Sequence, residues 1–147
     1  MLRTIALATA VAGTLDIIGA LVLAALNGTG PVRVLQSVAS GPLGNAATQS
    51  SAYAVAGLII HFAIMACMAT AFVLAAQRIE PLRRHPIAFG AAYGAGLWFF
   101  MYWIVLPRRW PGAFPQTDAA AVAGQLFCHI ALAGIPIALI AARRYRA

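Results

Sequence analysis

The stretch AYAVAGLIIHFAIMACMATAFVLAAQ, residues 52–77, decides the fold of this chain. It contains no Asp, Glu, Lys or Arg. A helix of about 20 apolar residues, rising about 1.5 Å per residue, is long enough to cross the ~30 Å hydrocarbon core of a bilayer. Residues 52–77 are therefore predicted to form a membrane-spanning helix.

Three further stretches have the same character, and they cover residues 4–26, 86–106 and 119–142. The whole chain has 147 residues, of which 63% are hydrophobic and 9% are charged. A soluble domain carries roughly 25% charged residues. The sequence therefore predicts an all-α integral membrane protein, a bundle of four transmembrane helices that forms one domain over residues 1–147. No length remains for a soluble enzyme module.

The arginines lie at the ends of the apolar stretches, and they are unequally divided. If the helices alternate in direction, one side carries Arg3, Arg78, Arg83, Arg84, Arg143, Arg144 and Arg146. The other side carries Arg33, Arg108 and Arg109. The positive-inside rule then places both termini in the cytoplasm of a multi-pass protein, which we expect in the bacterial inner membrane. The net charge of +7 forms no single stripe, so the expected partner is the lipid bilayer and not nucleic acid.

Small residues follow one face of the first span and of the third. The first set is Thr9, Ala12, Gly13, Asp16, Gly19, Ala20 and Ala24, and the second is Gly90, Ala91, Gly94 and Ala95. Small residues on one face let another helix approach closely in a membrane. These faces predict contacts within the bundle, with a second copy of the chain, or with another membrane protein.

The longest loop contains a short amphipathic helix, predicted over residues 31–40. Its apolar face is Val32, Leu35, Val38 and Ala39, and its polar face is Arg33, Gln36, Ser37 and Ser40. Pro31 suits the first turn, and the pair Gly41-Pro42 should end the helix. We expect this helix to lie at the lipid–water interface on the outer side of the membrane. The alternative is a lid whose Arg33 reaches toward Asp16.

Ionisable groups inside three of the spans are the best lead to function. Asp16, His61 and His129 lie in the first, second and fourth spans. Counting helix rise from each span's end places all three about 12–14 Å below the outer edge of the hydrocarbon core. Gln125 lies on the same helix face as His129. Such groups are costly in lipid and usually face protein, which predicts one polar cluster of Asp16, His61, His129 and Gln125.

Several functions are compatible with such a cluster. In the first, the polar groups satisfy one another and the chain is an accessory or packing protein without a cofactor. In the second, they relay protons or bind a cation in a small transporter or channel. In the third, His61, His129 and Asp16 bind a divalent metal, or the two histidines bind haem, with Gly57 and Gly124 leaving room beside it.

An enzyme is not expected. The chain has no phosphate-binding glycine loop and no Gly-x-Ser-x-Gly nucleophile motif. Asp16 is the only carboxylate inside a predicted span, which excludes a pair of catalytic aspartates in the membrane. We expect the accessory function first, a small transporter or channel second, and a haem- or metal-binding protein third.

Three segments carry a resemblance to a known group. They are residues 57–76 with His61, residues 90–107 with their aromatic end, and residues 124–144 with His129. In this layout the chain resembles the YagU-like small inner-membrane proteins of bacteria, a group without an established molecular activity. The resemblance implies a multi-span inner-membrane protein and supplies no catalytic residue.

Overall fold

The computed structural model describes residues 1–144, which form helices joined by short loops and contain no β-strand. The helices are α1 (Leu2–Leu26), α2 (Pro31–Leu43), α3 (Tyr53–Arg78), α4 (Glu80–Arg84), α5 (Pro86–Arg109) and α6 (Ala119–Arg143). A short 3₁₀ turn, Asn45–Thr48, follows α2.

Four of these helices, α1, α3, α5 and α6, are long and apolar enough to cross a membrane, with lengths of 25, 26, 24 and 25 residues. The predicted all-α bundle of four spanning helices is thereby confirmed. Large apolar side chains such as Val22, Ile59, Phe99 and Phe127 are exposed on the outside of the bundle. An apolar outer surface of this extent suits contact with lipid and not with water.

The core is built mainly from small residues, because the helices approach one another closely. Alanines of α1, α3 and α6 are completely or almost completely buried, with Phe72, Val73 and Ile137 as the larger members. The buried alanines are Ala8, Ala12, Ala69, Ala76, Ala133, Ala138, Ala141 and Ala142.

A very close helix contact joins α5 to α6, where glycines from both helices meet. A Cβ atom added to Gly94 would lie 2.7 Å from the Cα of Ile130, and one added to Gly90 would lie 2.8 Å from the Cα of Ile135. From the other side, a Cβ on Gly134 would lie 2.7 Å from the Cα of Gly94. No side chain fits at these points, so the glycine face of the third span is used inside the bundle.

Both helices of this pair contain a wide turn of the π type, Phe100–Val105 in α5 and Cys128–Gly134 in α6. Helix α5 continues to Arg109, past Pro107, where the apolar stretch was expected to end. Proline lacks the N–H that a helix needs, and local π adjustments re-satisfy the freed carbonyls. The wide turn just before Pro107 therefore lets α5 extend beyond the predicted limit of residue 106.

Helix α2 differs from its prediction in length and in orientation. It runs to Leu43 with Pro42 in its last turn, and Gly44 ends it with a φ of 81°. It packs along α3, and a Cβ on Gly57 would lie 2.7 Å from the carbonyl carbon of Leu35. Gln36 and Ser40, expected on the exposed polar face, are 6% and 2% exposed. The Gln36 amide donates to the Ser50 carbonyl at 2.9 Å, so the loop satisfies the buried polar group.

The arginines are sorted between the two ends of the bundle. The side-chain amide of Gln77 contacts the sulfur of Met1, which puts the start of α1 beside the end of α3. At the opposite end Arg109 donates to the carbonyls of Ser40 and Gly41 at 3.1 and 3.3 Å, and to the Asn45 side chain at 2.6 Å. Arg146, counted above, lies outside the described residues.

Candidate functional site

His61 joins α3 to α1. Its ring is 8% exposed, and Nε2 lies 2.9 Å from the carbonyl oxygen of Gly13. Because a carbonyl only accepts, Nε2 carries the proton and donates it. The neighbouring Phe62 packs edge-on against the His61 ring and fills the space beside Gly13, where a Cβ would lie 2.7 Å from it. His61 thus has a defined interhelical role on the α1–α3 side of the bundle.

His129 lies in the wide turn of α6, on the side that faces α5. Its Nδ1 atom is 3.0 Å from the carbonyl oxygen of Gln125, one turn earlier in the same helix. The ring of Tyr102 packs edge-on against the His129 ring, with 5.6 Å between the ring centroids. His129 is therefore oriented by its own helix and by an aromatic ring of α5.

Gln125 is the centre of a small hydrogen-bond network near the end of the bundle at which α6 begins. Its Oε1 accepts from the indole nitrogen of Trp98 at 3.2 Å, and its Nε2 donates to the Gln116 side chain at 2.6 Å. The network connects α5, α6 and the loop that precedes α6. The sequence pattern identified Gln125 as a candidate, whereas Trp98 and Gln116 were not among the candidate residues. The available signal was that a buried indole N–H needs an acceptor.

Asp16 is half-buried on the face of α1 that approaches α6. One turn further along, a Cβ on Gly19 would lie 2.9 Å from the sulfur of Cys128. The Asp16 carboxylate lies within electrostatic range of Cys128 and of Tyr102. Its Oδ1 atom is buried without a hydrogen-bond partner. Asp16 is therefore the least satisfied of the polar groups singled out from the sequence.

The structure divides the four candidate residues between different interfaces. His61 lies between α1 and α3, Gln125 and His129 lie near α5, and Asp16 faces α6. Asp16 makes no hydrogen bond or ion pair with either histidine, and the exposed Arg33 makes none with Asp16. Tyr102 packs against the His129 ring and lies within electrostatic range of Asp16. The equal heights expected from helix rise did not imply contact, because the side chains point toward different neighbouring helices.

The cofactor alternatives do not fit this arrangement. Over residues 1–144, no group of three or more His, Cys, Asp or Glu side chains could hold a metal ion, so His61, His129 and Asp16 do not form the metal site considered above. The His61 Nε2 atom is engaged by Gly13, and the space beside Gly57 is filled by Leu35. Leu23 occupies the space beside Gly124, 3.1 Å from a Cβ placed there. No room for haem remains beside these two glycines.

This arrangement can hold helices together, and it leaves one carboxylate oxygen without a partner. The bond from Trp98 to Gln125 and the bond from His61 to Gly13 join helices, whereas the Oδ1 atom of Asp16 is buried without a hydrogen-bond partner. No protein-family model, curated protein or solved structure matches this chain.

Proposed function

We propose that this chain is a multi-pass protein of the bacterial inner membrane with both termini in the cytoplasm, and that it acts there as an accessory protein. The orientation is supported by the arginines, which are more numerous at the end that carries Arg3, Arg78 and Arg143. Kinship with the YagU-like proteins belongs to the same proposal and agrees with the layout of the spans.

The observation that carries the accessory role is that the polar groups inside the spans serve mainly as links between helices. His61 bonds to the Gly13 carbonyl at 2.9 Å, and the hydroxyl of Tyr93 donates to the Met68 carbonyl at 2.8 Å. Interhelical hydrogen bonds and small residues are the main attractions between helices in lipid. Since α6 already covers the glycine face of α5, contact with a partner protein or a second copy would use the outward faces.

Paired tryptophan variants test whether these polar links are structural. Trp98→Phe removes the indole donor to Gln125, whereas Trp103→Phe changes an exposed tryptophan on the same helix. We expect Trp98→Phe to lower the thermal unfolding midpoint in detergent and Trp103→Phe to leave it unchanged. Equal midpoints for both variants would contradict a structural role for the network.

A fluorescent protein fused to the C-terminus tests orientation, because it fluoresces only when it remains in the cytoplasm.

A second candidate function, a small proton- or cation-linked transporter, is favoured by the unpartnered Oδ1 of Asp16. An ionisable group inside a membrane span is a functional-site hypothesis by default. Purified protein in liposomes with an imposed pH or cation gradient separates the two functions. Flux that wild type supports and folded Asp16→Asn abolishes would establish transport. A wild type without flux, and with normal assembly, supports the accessory role.

A further inference from the structure

An open apolar groove lies between α3 and α5, near the arginine-rich end of the bundle. Its volume is about 270 Å³. It is lined by Ala71 and Ala75 of α3 and by Ala92 of α5, and it is deep because these alanine side chains are small. Phe89 and Leu82 stand beside them, and Leu82 belongs to the short helix α4 that closes the end of the groove. The groove is smaller than the roughly 300–1,000 Å³ of a drug-sized ligand pocket, and its apolar lining suits a flexible hydrocarbon chain.

The bottom of the groove is held rigidly by two aromatic rings. Phe72 and Tyr93 pack together with 5.1 Å between their centroids, and the Tyr93 hydroxyl donates to the Met68 carbonyl at 2.8 Å. This pair links α3 and α5 directly behind the groove, so the groove has a defined floor.

Basic residues follow the lining residues along the chain toward the end of the groove. Arg78 follows Ala71 and Ala75 on the same face of α3, at spacings of seven and three residues, and it is exposed. The distance from Ala71 to Arg78 along the helix is about 10 Å, which spans the region between acyl chain and headgroup. His85, four residues before Phe89, is also exposed.

The short helix α4 adds two arginines, Arg83 and Arg84, and one acidic residue, Glu80. Arg83 donates to the carbonyls of Ala76 and Gln77 at 3.0 and 2.9 Å, which fixes α4 on the end of α3. Arg84 pairs with Glu80 at 2.7 Å, and both side chains are more than half exposed. An exposed pair of this kind is weak, so the Arg84 guanidinium can also approach an anion from outside.

We propose that this groove binds an anionic phospholipid of the cytoplasmic leaflet, with one acyl chain against Ala71, Ala75 and Ala92 and the phosphate beside Arg78 and Arg84. Basic pockets between helices on the cytoplasmic side are sites for acidic headgroups, and clustered arginines next to a span attract anionic lipid. The occupant follows from the combination of an apolar groove and a basic rim at one end. This inference goes beyond the accessory role, and it rests on the cytoplasmic orientation proposed above for this end of the bundle.

The test compares two lipids with identical acyl chains, phosphatidylglycerol and phosphatidylcholine, bound to the full-length protein in detergent and counted by native mass spectrometry. We expect preferential retention of phosphatidylglycerol, and we expect Arg78→Gln to weaken it about fivefold. The matched control is Arg108→Gln, an exposed arginine at the opposite end. Equal retention of both lipids, or an equal effect of the two substitutions, would overturn the proposal.

A second pair of variants tests the acyl chain. Ala71→Leu fills the groove, whereas Ala63→Leu places the same side chain on an exposed part of α3 away from it. Only Ala71→Leu should lower phosphatidylglycerol retention. Inorganic phosphate at millimolar concentration should not displace the lipid; displacement by phosphate would show a headgroup site without an acyl component and contradict the proposal.

Wild-type protein provides a test that does not depend on the folding of variants. Phosphatidylglycerol with a photoreactive acyl chain should label the segment around Phe89 and Ala92 preferentially. Uniform labelling of all exposed apolar positions, including Val22 and Ile59, would mean that only bulk lipid covers this surface.

Discussion

The α5–α6 contact and the inward face of α1 are both built from small residues, yet they differ in what their polar groups do. At the α5–α6 contact, Gly90, Gly94 and Gly134 bring backbone against backbone, and no space remains for a Cβ atom. On α1, the oxygens Thr9 Oγ1 and Asp16 Oδ1 are buried without a hydrogen-bond partner.

The α5–α6 contact depends on close packing alone, whereas the inward face of α1 keeps polar atoms that could still accept a hydrogen bond. The contact of Gly90 and Gly94 with Gly134, here called the glycine crossing, has one geometry and holds the bundle through close packing. An unpartnered oxygen contributes nothing to that packing and carries a desolvation cost. The first contact should therefore be intolerant of substitution, and the second should tolerate the loss of its polar groups.

The largest effect is expected at the glycine crossing. Gly94→Ala places a methyl group 2.7 Å from the Cα of Ile130, and overpacking of this kind costs about 1–3 kcal/mol or more. Gly96→Ala, two residues away, meets nothing within 4 Å and should be neutral or stabilising. Thermal unfolding in detergent, followed by circular dichroism, compares the two. If Gly94→Ala unfolds at the same temperature as Gly96→Ala, the crossing is not the rigid contact described here.

A smaller effect is expected at the end of the bundle where Arg109 binds carbonyls at the end of α2 and the Asn45 side chain. Loss of hydrogen bonds from a charged donor, discounted for partial exposure, should cost about 1–2 kcal/mol. Arg109→Gln should therefore increase amide hydrogen exchange in α2. Arg108→Gln, at the neighbouring exposed arginine, is the control. Unchanged exchange in α2 would show that contact with α3 alone holds it.

The polar link between α1 and α3 should contribute less. His61→Phe keeps a ring but removes the donor to the Gly13 carbonyl, and interhelical hydrogen bonds in membranes contribute about 0.6 kcal/mol on average and up to about 1.7. His61→Gln, which retains a donor, should recover part of the loss. Denaturant titration of both variants measures the difference. A His61→Phe protein as stable as wild type would argue against a linking role.

The smallest effect on stability is expected for Asp16→Asn. Its Oδ1 has no partner to lose, and removing the charge lowers the desolvation cost of the site. Stability should stay within about 0.5 kcal/mol of wild type or rise. A loss of several kcal/mol in the same titration would mean that Asp16 has a structural partner, and the contrast between the two contacts would disappear.

The spanning helices could be predicted because length and composition determine whether a segment can cross lipid. The wide turns could not, since their i→i+5 bonds follow from packing and leave no distinct pattern in residues such as Phe100 and Cys128. The prediction of the orientation of α2 failed for a related reason. Gln36 donates to the carbonyl of Ser50, fourteen residues away, and an amphipathic pattern does not reveal such partners.

The candidate site was predictable residue by residue but not as an assembly. Asp16 and His61 do lie inside the bundle, and Gln125 does bond across helices. Helix rise gives the height of each group. The neighbour that each side chain faces depends on how the helices are rotated relative to one another. For that reason the sequence could not separate His61 from His129, nor identify Tyr102 as the ring beside His129 and near Asp16.

The wide turns in α5 and α6 also determine how the chain would respond to a change in length. A π turn holds one residue more than an α turn. Removing one residue from the segment Phe100–Val105 can close the turn into a regular one, while Gly94 before it and Arg109 after it keep their facing. Removing one residue from α3, which is α-helical from Tyr53 to Arg78, rotates everything beyond the deletion by about 100°. Among the four spanning helices, a one-residue deletion should therefore preserve the facing of the flanking residues only in α5 and α6, and in α5 it also removes the wide turn that accommodates Pro107.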